Sequence, residues 1–384
     1  DLPFFKALTL RGAYRLSDYS TVGSFSAWNV GGEWAPTSDI RFRAVYAHAV
    51  RAPNIGELFS AASSGITSIT DPCQGITLTS TGSTAANCLA VPSVVANINA
   101  NGKFTLTPSD QSGVGSVSGA NPNIKQETGK TFTAGVVINP RSINALRNLT
   151  FTADYFDIQL QGAISRLSTT TILNKCYVQG ISDFCQFITR RDQPSGAFSI
   201  GSVQQIFTTL VNSGGAFTRG LDFTLNYHQA VLGGTATFQG SWTHLLKNGV
   251  VPLQGDKYDN TMGEFGNPRD KAVLTLDWSS DTFGLTVTNQ YIGKQMLDYE
   301  NFQTTYVLAD GSLPPKSLFT LGARVYTDVQ VRFDVKKNWQ FYLGAKNAFD
   351  VKMPPLYGSV GNFNPSTIYD PIGRRFYAGF RIKM

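Results

Sequence analysis

Histidine is the main source of acid–base chemistry near neutral pH, and the 384 residues include three histidines, His48, His228 and His244. No serine, cysteine or carboxylate stands near any of them at the spacing of a known catalytic motif. We therefore interpret each histidine as a polar group on a wall or a rim of the fold. No catalytic residue is predicted, and the chain is not predicted to be an enzyme.

The acidic residues that stand close together do not match a metal site either. Asp154 and Asp157 flank the end of a predicted strand, where solvent would hydrate them. Asp256, Asp259 and Glu264 share one loop, but they lack the Asp-x-Asn-x-Asp-Gly spacing of a calcium-binding loop. We predict neither a metal ion nor a cofactor.

The four cysteines fall into two local pairs, Cys73 with Cys88 and Cys176 with Cys185, each within a loop rich in Ser, Thr, Gly and Asn. Their even number and short separations favour two disulfides and an oxidising compartment. Neither pair has the CxxC-type spacing or the neighbouring histidines that a zinc site needs. We predict two disulfides, with free or metal-binding thiols as the alternative.

The composition favours a large β structure, because only 15% of the residues are charged, 12% are aromatic and 37 are glycine. No apolar run approaches the roughly 18 residues of a membrane-spanning helix. If the chain crosses a membrane, it must do so as a closed barrel, since every backbone polar group in lipid needs a partner. The formal net charge of +6 comes from scattered Lys and Arg, so nucleic-acid binding is not predicted.

The last stretch of the chain shows which elements must position these side chains. From Phe376 to Met384 apolar residues occupy alternate positions, with Tyr377, Arg381 and Lys383 among the residues between them. This is the period of a strand with two unlike faces. About twelve segments of this kind, each roughly ten residues long, follow one another along the chain. The sequence therefore predicts an all-β fold.

Short turns and long loops alternate between these segments. The long loops lie near residues 52–126, 162–215, 244–268, 297–317 and 348–372. This alternation is typical of outer-membrane barrels, in which the long loops are extracellular. Tryptophans near the strand ends fit the aromatic girdles of such a barrel. We predict a transmembrane antiparallel β-barrel with lipid on its apolar face and water on its polar face.

A secreted β-sandwich or β-solenoid is the alternative fold, in which apolar faces would pack against each other. In that fold the polar faces would meet bulk solvent and carry many charges. The polar faces of this chain are instead rich in Thr, Gly, Asn and Gln. This composition favours the barrel.

Four segments carry a resemblance to a known family. They read RAPNIGELF (51–59), NPNIKQETGKTFTAGV (121–136), TRGLDFTLNY (218–227) and GRRFYAGF (373–380). In this order, and beside the strands that they accompany, they resemble the barrels of TonB-dependent outer-membrane receptors. Two positions depart from the family pattern, because Gln126 replaces a usual proline and Met384 replaces the common terminal aromatic residue.

The resemblance implies a barrel of about 22 strands with a plugged lumen, of which this chain would supply about 12 strands and no plug domain. The chain opens in mid-pattern without a signal peptide, so we expect residues 1–384 to be the C-terminal portion of one outer-membrane β-barrel domain. The family takes up scarce, bulky nutrients such as siderophores, cobalamin or oligosaccharides across the Gram-negative outer membrane. The implied partners are the lipid bilayer, a nutrient ligand and, through an upstream segment with a TonB box, the TonB energy-coupling complex.

Ligand contacts are expected from residues of the loops. Arg51 is a candidate to steer or hold a ligand, although Pro53 and Asn54 with the apolar Ile55, Leu58 and Phe59 more simply fold the loop base against the wall or plug. The aromatic candidates are Tyr258, Phe265, Tyr299, Phe302, Tyr306, Tyr357 and Phe363. Loop packing is the alternative role for each of them.

The functional prediction is TonB-dependent active uptake of a scarce, bulky nutrient. A passive, self-contained channel of twelve strands is the first alternative, and it would conduct without a ligand. A barrel-borne enzyme such as a phospholipase or protease is the second alternative. Such an enzyme would need a polar triad on the lipid-facing or external surface.

Overall fold

The computed structural model describes residues 4–297, 308, 311–336, 338–354 and 368–382. The strands in this part are β1 (Ala7–Tyr19), β2 (Gly23–Ala35), β3 (Ile40–Arg51), β4 (Ser63–Thr67), β5 (Val114–Ser118), β6 (Glu127–Ile138), β7 (Leu149–Gln161), β8 (Ile164–Arg166), β9 (Ile188–Arg190), β10 (Val203–Thr208), β11 (Leu210–Asn212), β12 (Gly215–Val231), β13 (Gly234–Val251), β14 (Asp259–Asn260), β15 (Asp270–Ser279), β16 (Phe283–Ile292), β17 (Gln295–Met296), β18 (Thr320–Leu321), β19 (Arg324–Lys336), β20 (Trp339–Lys346) and β21 (Arg375–Ile382).

The helices are short and lie in the loops. They are α1 (Ile55–Phe59), α2 (Ser83–Leu89), α3 (Pro92–Asn101), α4 (Pro108–Ser112), α5 (Thr169–Leu173), which a π-helical turn (Asn174–Val178) continues, and α6 (Ser182–Cys185). Single 3₁₀ turns occur at Asn144–Leu146 and Lys316–Phe319. Across the described ranges, no helix combines the length and the apolar character needed to cross a membrane.

Twelve strands pair edge to edge, in chain order and antiparallel throughout, to form one sheet that we call the wall. Its order is β1-β2-β3-β6-β7-β12-β13-β15-β16-β19-β20-β21, and the short β14 pairs beside β13. The twelve alternating segments of the sequence are these strands, which confirms the all-β prediction. Within the described residues, β1 is paired only with β2 and β21 only with β20.

The connections of the wall separate into a turn end and a loop end. The turn end holds residues 36–39, 139–148, 232–233 and 280–282 and the β19–β20 turn. The loop end holds the five long loops, but it also holds the three-residue turn 20–22, so the alternation of turns and loops is not strict. The third long loop begins at residue 252 rather than near 244, because β13 continues to Val251.

Apolar side chains form continuous rows on one face of the wall, which we call the outer face. Register aligns one such row across seven strands: Trp34, Phe42, Val136, Ala153, Phe223, Trp242 and Ala272. On the last strand, Phe376, Phe380 and Ile382 are 74%, 66% and 44% exposed, so no protein interior covers them. This agrees with the predicted exposure of the apolar face.

Polar side chains occupy the opposite, inner face, because successive strand residues point to opposite sides. The neighbouring row on this face runs Glu33, Arg43, Gly135, Asp154, Asp222, Thr243 and Lys271. The two faces of the wall therefore differ in polarity as the sequence predicted.

The first two long loops fold together into one unit that we call the cap, residues 52–126 and 162–214. Its four-stranded sheet has the order β4-β5-β10-β9, so each loop supplies two strands. Strands β5 and β10 pair in parallel and join the two loops. The core contains buried residues from both loops: Ile69, Val94, Ile98, Phe104, Leu106, Val114, Leu167, Ile172, Leu173, Tyr177, Val203 and Ile206.

Two disulfides cross-link the cap, Cys73 to Cys88 and Cys176 to Cys185, with Sγ–Sγ distances of 2.03 and 2.09 Å. Both predicted pairings are confirmed. The sequence placed the two pairs in two separate loops, whereas Cys73, Cys88 and Cys176 all lie in the one cap core.

The remaining loops form a smaller cluster at the loop end of β16 and β19. Its buried residues include Ile292, Leu321, Tyr326 and Tyr369, with Phe265 packed against them. Gln295 donates a hydrogen bond of 2.6 Å to the hydroxyl of Tyr369 inside this cluster.

Candidate functional site

The inner face of the wall carries an ion pair that the sequence did not predict. Arg43 on β3 donates from Nε and Nη2 to the carboxylate oxygens of Asp154 on β7, at 3.0 and 2.6 Å. Strand β6 lies between them and contributes Gly135, where a Cβ would stand 1.9 Å from Asp154 Oδ1. Glycine thus leaves the space in which the pair forms. The interpretation of Asp154 as a solvated rim group is wrong, because Asp154 lies inside β7.

Hydroxyl groups satisfy other carboxylates of the inner face. Thr243 donates to Asp222 at 2.6 Å, and Thr286 donates to Asp277 at 2.6 Å. Charge-assisted bonds of this kind are stronger than bonds between neutral groups. The inner face therefore presents paired charges and hydroxyls to the space beside it, as the wet interior of a barrel requires.

A cavity of about 770 Å³ lies against this polar surface. The charged residues in its lining are Arg11, Glu33, Arg43, Asp154 and Asp222, and Asn29 and Thr133 add an amide and a hydroxyl. Arg11 and Arg41 both approach Glu33, at 3.5 and 3.6 Å. These cations keep much of their surface exposed, so they remain available to a partner that enters the lumen.

The outer face holds an ion pair and a histidine–carboxylate hydrogen bond near the loop end. Arg219 on β12 donates to Asp157 on β7 at 3.0 and 2.5 Å, so Asp157 is also part of a strand and not a solvated rim group. His244 Nδ1 lies 2.7 Å from Asp270 Oδ1, and the indole of Trp242 donates to the same oxygen at 3.0 Å.

Motif spacing does not reveal the carboxylate beside His244, because Asp270 lies 26 residues away in the chain. The β13–β15 register places His244 opposite Asp270, and a correct strand pairing is the only sequence signal that would have found it. The described hydrogen bonds of His244 include no serine, threonine or cysteine side chain, so the pair is a hydrogen-bonded pair near the loop end and lacks the third member of a triad.

Three charged residues join the cap to the loop end of the wall, and we call them the rim clamp. Arg51, the last residue of β3, donates to Glu127 at 2.6 Å and to both oxygens of Glu57 at 3.0 and 3.1 Å. Glu127 also accepts the backbone N–H of Ile164 at 2.5 Å, which attaches the second long loop. One arginine and one glutamate therefore hold the bases of both loops.

The RAPNIGELF segment forms the helix of this clamp. Asn54 caps α1 by accepting the N–H of Glu57, and the Glu57 carboxylate accepts the N–H of Asn54 in return. The hydrogen bond from Arg51 and this backbone bond hold the pKa of Glu57 below its ordinary value. Leu58 is buried, but Ile55 and Phe59 are exposed, so the segment packs only in part as the sequence indicated.

A charged pair also lies inside the cap. Arg190 donates to both oxygens of Asp71 at 2.7 and 2.9 Å, and both side chains are almost fully buried. Arg190 also donates to the hydroxyl of Tyr177 at 2.8 Å and lies 4.6 Å from the centre of its ring. Asp71 lies in the first long loop and Arg190 in the second, so this pair joins the two loops. Removal of either side chain would leave the other charge buried without a partner.

Most of the predicted ligand contacts fall outside the described residues, namely Tyr299, Phe302, Tyr306, Tyr357 and Phe363. Arg51 belongs to the rim clamp. Tyr258 lies half-buried beside Phe217 and beneath Lys247. Phe265 packs in the smaller loop cluster. Their role towards a ligand stays a prediction.

The three acids of the third loop serve different elements. Asp256 forms an ion pair with the buried Lys175 of the cap, which connects this loop to the cap. Asp259 is the first residue of the short strand β14, and the backbone of Glu264 forms an isolated β-bridge with the backbone of Met296. In the part of the chain that the structure describes, His, Cys, Asp and Glu side chains form no group of three that could hold a metal ion.

Comparison with known proteins places this architecture among receptors. The TonB dependent receptor-like, beta-barrel family model matches residues 1–348. Similar solved structures include the Pseudomonas aeruginosa ferric enterobactin receptor PfeA (16% identity, TM-score 0.61) and the siderophore receptor PirA from Acinetobacter baumannii (13%, 0.59). In both cases 98% of this chain and 43% of the other chain are covered.

The chain therefore spans less than half the length of these solved structures. At such low identity the likeness shows the fold, which is that of a receptor β-barrel. No curated protein matches the sequence. The family model covers most of the chain and agrees with the twelve-strand wall. This protein chain belongs to the TonB-dependent receptor-like β-barrel family.

Proposed function

We propose that this chain forms the barrel part of a receptor that takes up a scarce, bulky nutrient across the outer membrane of a Gram-negative bacterium, with energy delivered through TonB. The observation that carries the proposal is the opposite polarity of the two faces of the wall. Apolar side chains on the outer face suit lipid, and paired charges and hydroxyls on the inner face suit a wet lumen.

The height of the apolar band supports a wall that spans a membrane. On β12, Arg219 and Gln229 bound an outer-face run of Leu221, Phe223, Leu225 and Tyr227. Ten residues at about 3.3 Å each cover about 33 Å along the strand. A strand tilt of about 40° reduces this to about 25 Å along the membrane normal, which is the usual height of the apolar band.

The free edges of the wall support a larger barrel. In the described residues, β1 and β21 each have one edge without a partner strand. Lipid does not tolerate unpaired backbone groups, and this supports the presence of further strands that complete the sheet. We propose that residues 1–384 are the C-terminal portion of one barrel domain, and that other strands and a plug domain of the same protein complete it.

The cap and the neighbouring loops are the proposed entrance for the nutrient. One similar solved structure is named a ferric enterobactin receptor and the other a siderophore receptor, which makes a ferric siderophore the first class to test, with cobalamin and oligosaccharides next. Arg51, Tyr258 and Phe265 are the proposed contacts within the described residues, together with the aromatic candidates outside them.

The decisive experiment is uptake by the full-length protein in cells whose other receptors are deleted. We expect labelled nutrient of one class to accumulate only when both the receptor gene and TonB are present. Accumulation that continues without TonB would support a passive channel and contradict the proposal. Hydrolysis of a lipid or peptide substrate by the purified protein would contradict it in favour of an enzyme.

The proposed contacts can be tested with the same assay. Tyr258→Ala and Phe265→Ala should each weaken binding of the identified nutrient by roughly tenfold, as the loss of about 1.4 kcal/mol does. Tyr19→Ala is the matched control, because Tyr19 is an aromatic residue at the loop end that stacks on Phe25 in a separate hairpin. Equal effects of all three variants would exclude a specific role for the loop aromatics.

A further inference from the structure

The outer face carries a row of cations at the loop end that nutrient uptake does not explain. Register aligns Phe132, Asp157, Arg219 and Lys247 across β6, β7, β12 and β13. Lys130 lies two residues nearer to the loop end on β6. We call Lys130, Arg219 and Lys247 the cationic row.

The charges of this row are only partly compensated. Arg219 binds Asp157 through Nε and Nη2, which leaves Nη1 free of that contact. The Lys247 ammonium lies 4.7 and 4.5 Å from the ring centres of Phe217 and Tyr258. The ion pairs among the described residues include neither Lys130 nor Lys247. The three cations of the row and the carboxylate of Asp157 together carry a charge of +2, and the nearby Asp270 carboxylate is bound by His244 and Trp242.

The position of the row matches the level of lipid headgroups. Arg219 marks the upper limit of the apolar band, about 25 Å above the turn-end limit at Gln229. Aromatic side chains accompany the cations, with Phe132 below Lys130 and Phe217 beside Lys247. Cations and aromatic residues at the end of an apolar band form the arrangement that membrane proteins place at the lipid–water interface.

A groove on the outer face lies on the turn-end side of the row and begins at Phe223, four residues from Arg219 along β12. It holds about 240 Å³ and passes over Gly240, between Phe223, Phe238 and Leu274. Gly240 has no side chain, so its backbone forms the floor of the groove. An acyl chain fits such an apolar channel, and the same chain would extend past Leu221 before its headgroup reaches the level of Arg219.

We propose that the cationic row binds the phosphate group of a phosphorylated lipid in the leaflet nearest the loop end, while the Gly240 groove holds one of its acyl chains. Arginine and lysine form strong charge-assisted hydrogen bonds with phosphate oxygens. The proposal rests on the membrane-spanning wall and is independent of which nutrient the protein takes up.

The test measures lipid binding to the purified full-length protein in non-ionic detergent, by native mass spectrometry. The probes are phosphatidic acid, diacylglycerol with the same acyl chains, and inorganic phosphate. Each cation near a lipid phosphate contributes about 1 kcal/mol. The Lys130→Gln/Lys247→Gln variant should therefore bind phosphatidic acid about thirtyfold more weakly, which is about 2 kcal/mol at 1.4 kcal/mol per tenfold.

The matched control is Lys103→Gln/Lys271→Gln, which removes the same charge from the cap and from the inner face and should bind like the unchanged protein. The single variant Lys130→Gln, at an exposed position, should bind about fivefold more weakly and does not depend on folding of the double variant. Equal binding by the double variant and its control would overturn the proposal. So would diacylglycerol or inorganic phosphate binding as tightly as phosphatidic acid.

Discussion

Gly135→Ala tests whether the wall depends on the space that this glycine leaves for the Arg43–Asp154 pair. The new Cβ would stand 1.9 Å from Asp154 Oδ1 and 2.9 Å from the carbonyl oxygen of Ala153. The Asp154 side chain must therefore move and lose its two bonds from Arg43. The pair is partly exposed, so its loss costs about 1 kcal/mol. The backbone displacement adds about 1–2 kcal/mol, which gives a total of about 2–3 kcal/mol.

The free energy of unfolding of the full-length protein, measured by urea titration in lipid vesicles, checks this value. Tryptophan fluorescence is a suitable probe, because all five tryptophans of the chain lie in wall strands. Gly240→Ala is the control, since the nearest atoms to its Cβ would be at 3.6 Å. This control should be neutral or slightly stabilising, because alanine loses less backbone entropy than glycine.

A double-mutant cycle separates the two parts of the effect. In an Asp154→Ala background, Gly135→Ala should cost about 1 kcal/mol less, because the carboxylate that it displaces is already absent. The same cost in both backgrounds would refute the idea that Gly135 serves the ion pair. A cost no larger than that of Gly240→Ala would refute the steric argument as a whole.

Three further predictions concern the cap and its attachment. Cys73→Ser/Cys88→Ser should destabilise the cap by about 3 kcal/mol, since the bond closes a loop with a sequence separation of 15, and hydrogen exchange of cap amides would measure it. Burial alone would raise the pKa of Asp110, but the N–H and hydroxyl groups of Thr107 and Ser199 outweigh it and hold this pKa below the ordinary 3.8. A lowered folded-state pKa gives stability that is complete above about pH 4 and is lost as the pH falls through the folded-state value. Hydrogen exchange of cap amides should therefore accelerate below pH 4 in the native protein. The Asp110→Asn variant should lack this pH dependence. Glu127→Gln should weaken the rim clamp by about 1–2 kcal/mol and speed proteolysis near Ile164 without changing the wall. Glu33→Gln is the control, because the ion pairs of Glu33 are longer and more exposed, and it should leave the rate of proteolysis nearly unchanged.

Patterns along the sequence determined the elements of this protein. Alternation with a period of two is a local property, so twelve strands, the two unlike faces and the short turns followed from the residues themselves. Cysteine separations of 15 and 9 residues were also short enough for the pairing to be local. The exposed outer face on β21 followed from the same alternation.

Contacts between distant residues were decided only by the tertiary structure. Arg43 and Asp154 are 111 residues apart, and Arg190 and Asp71 are 119 apart, so their meeting depends on strand register and on the association of two loops. The sequence predicted two separate loops because no local pattern shows that β5 and β10 pair in parallel. It placed Asp154 and Asp157 at a rim because the strand that contains them continues beyond the apolar alternation to Gln161. A shift of register by a single residue would move every side chain of a strand to the opposite face. The charge pairs of the wall therefore depend on the register of all neighbouring strands, which the tertiary structure sets.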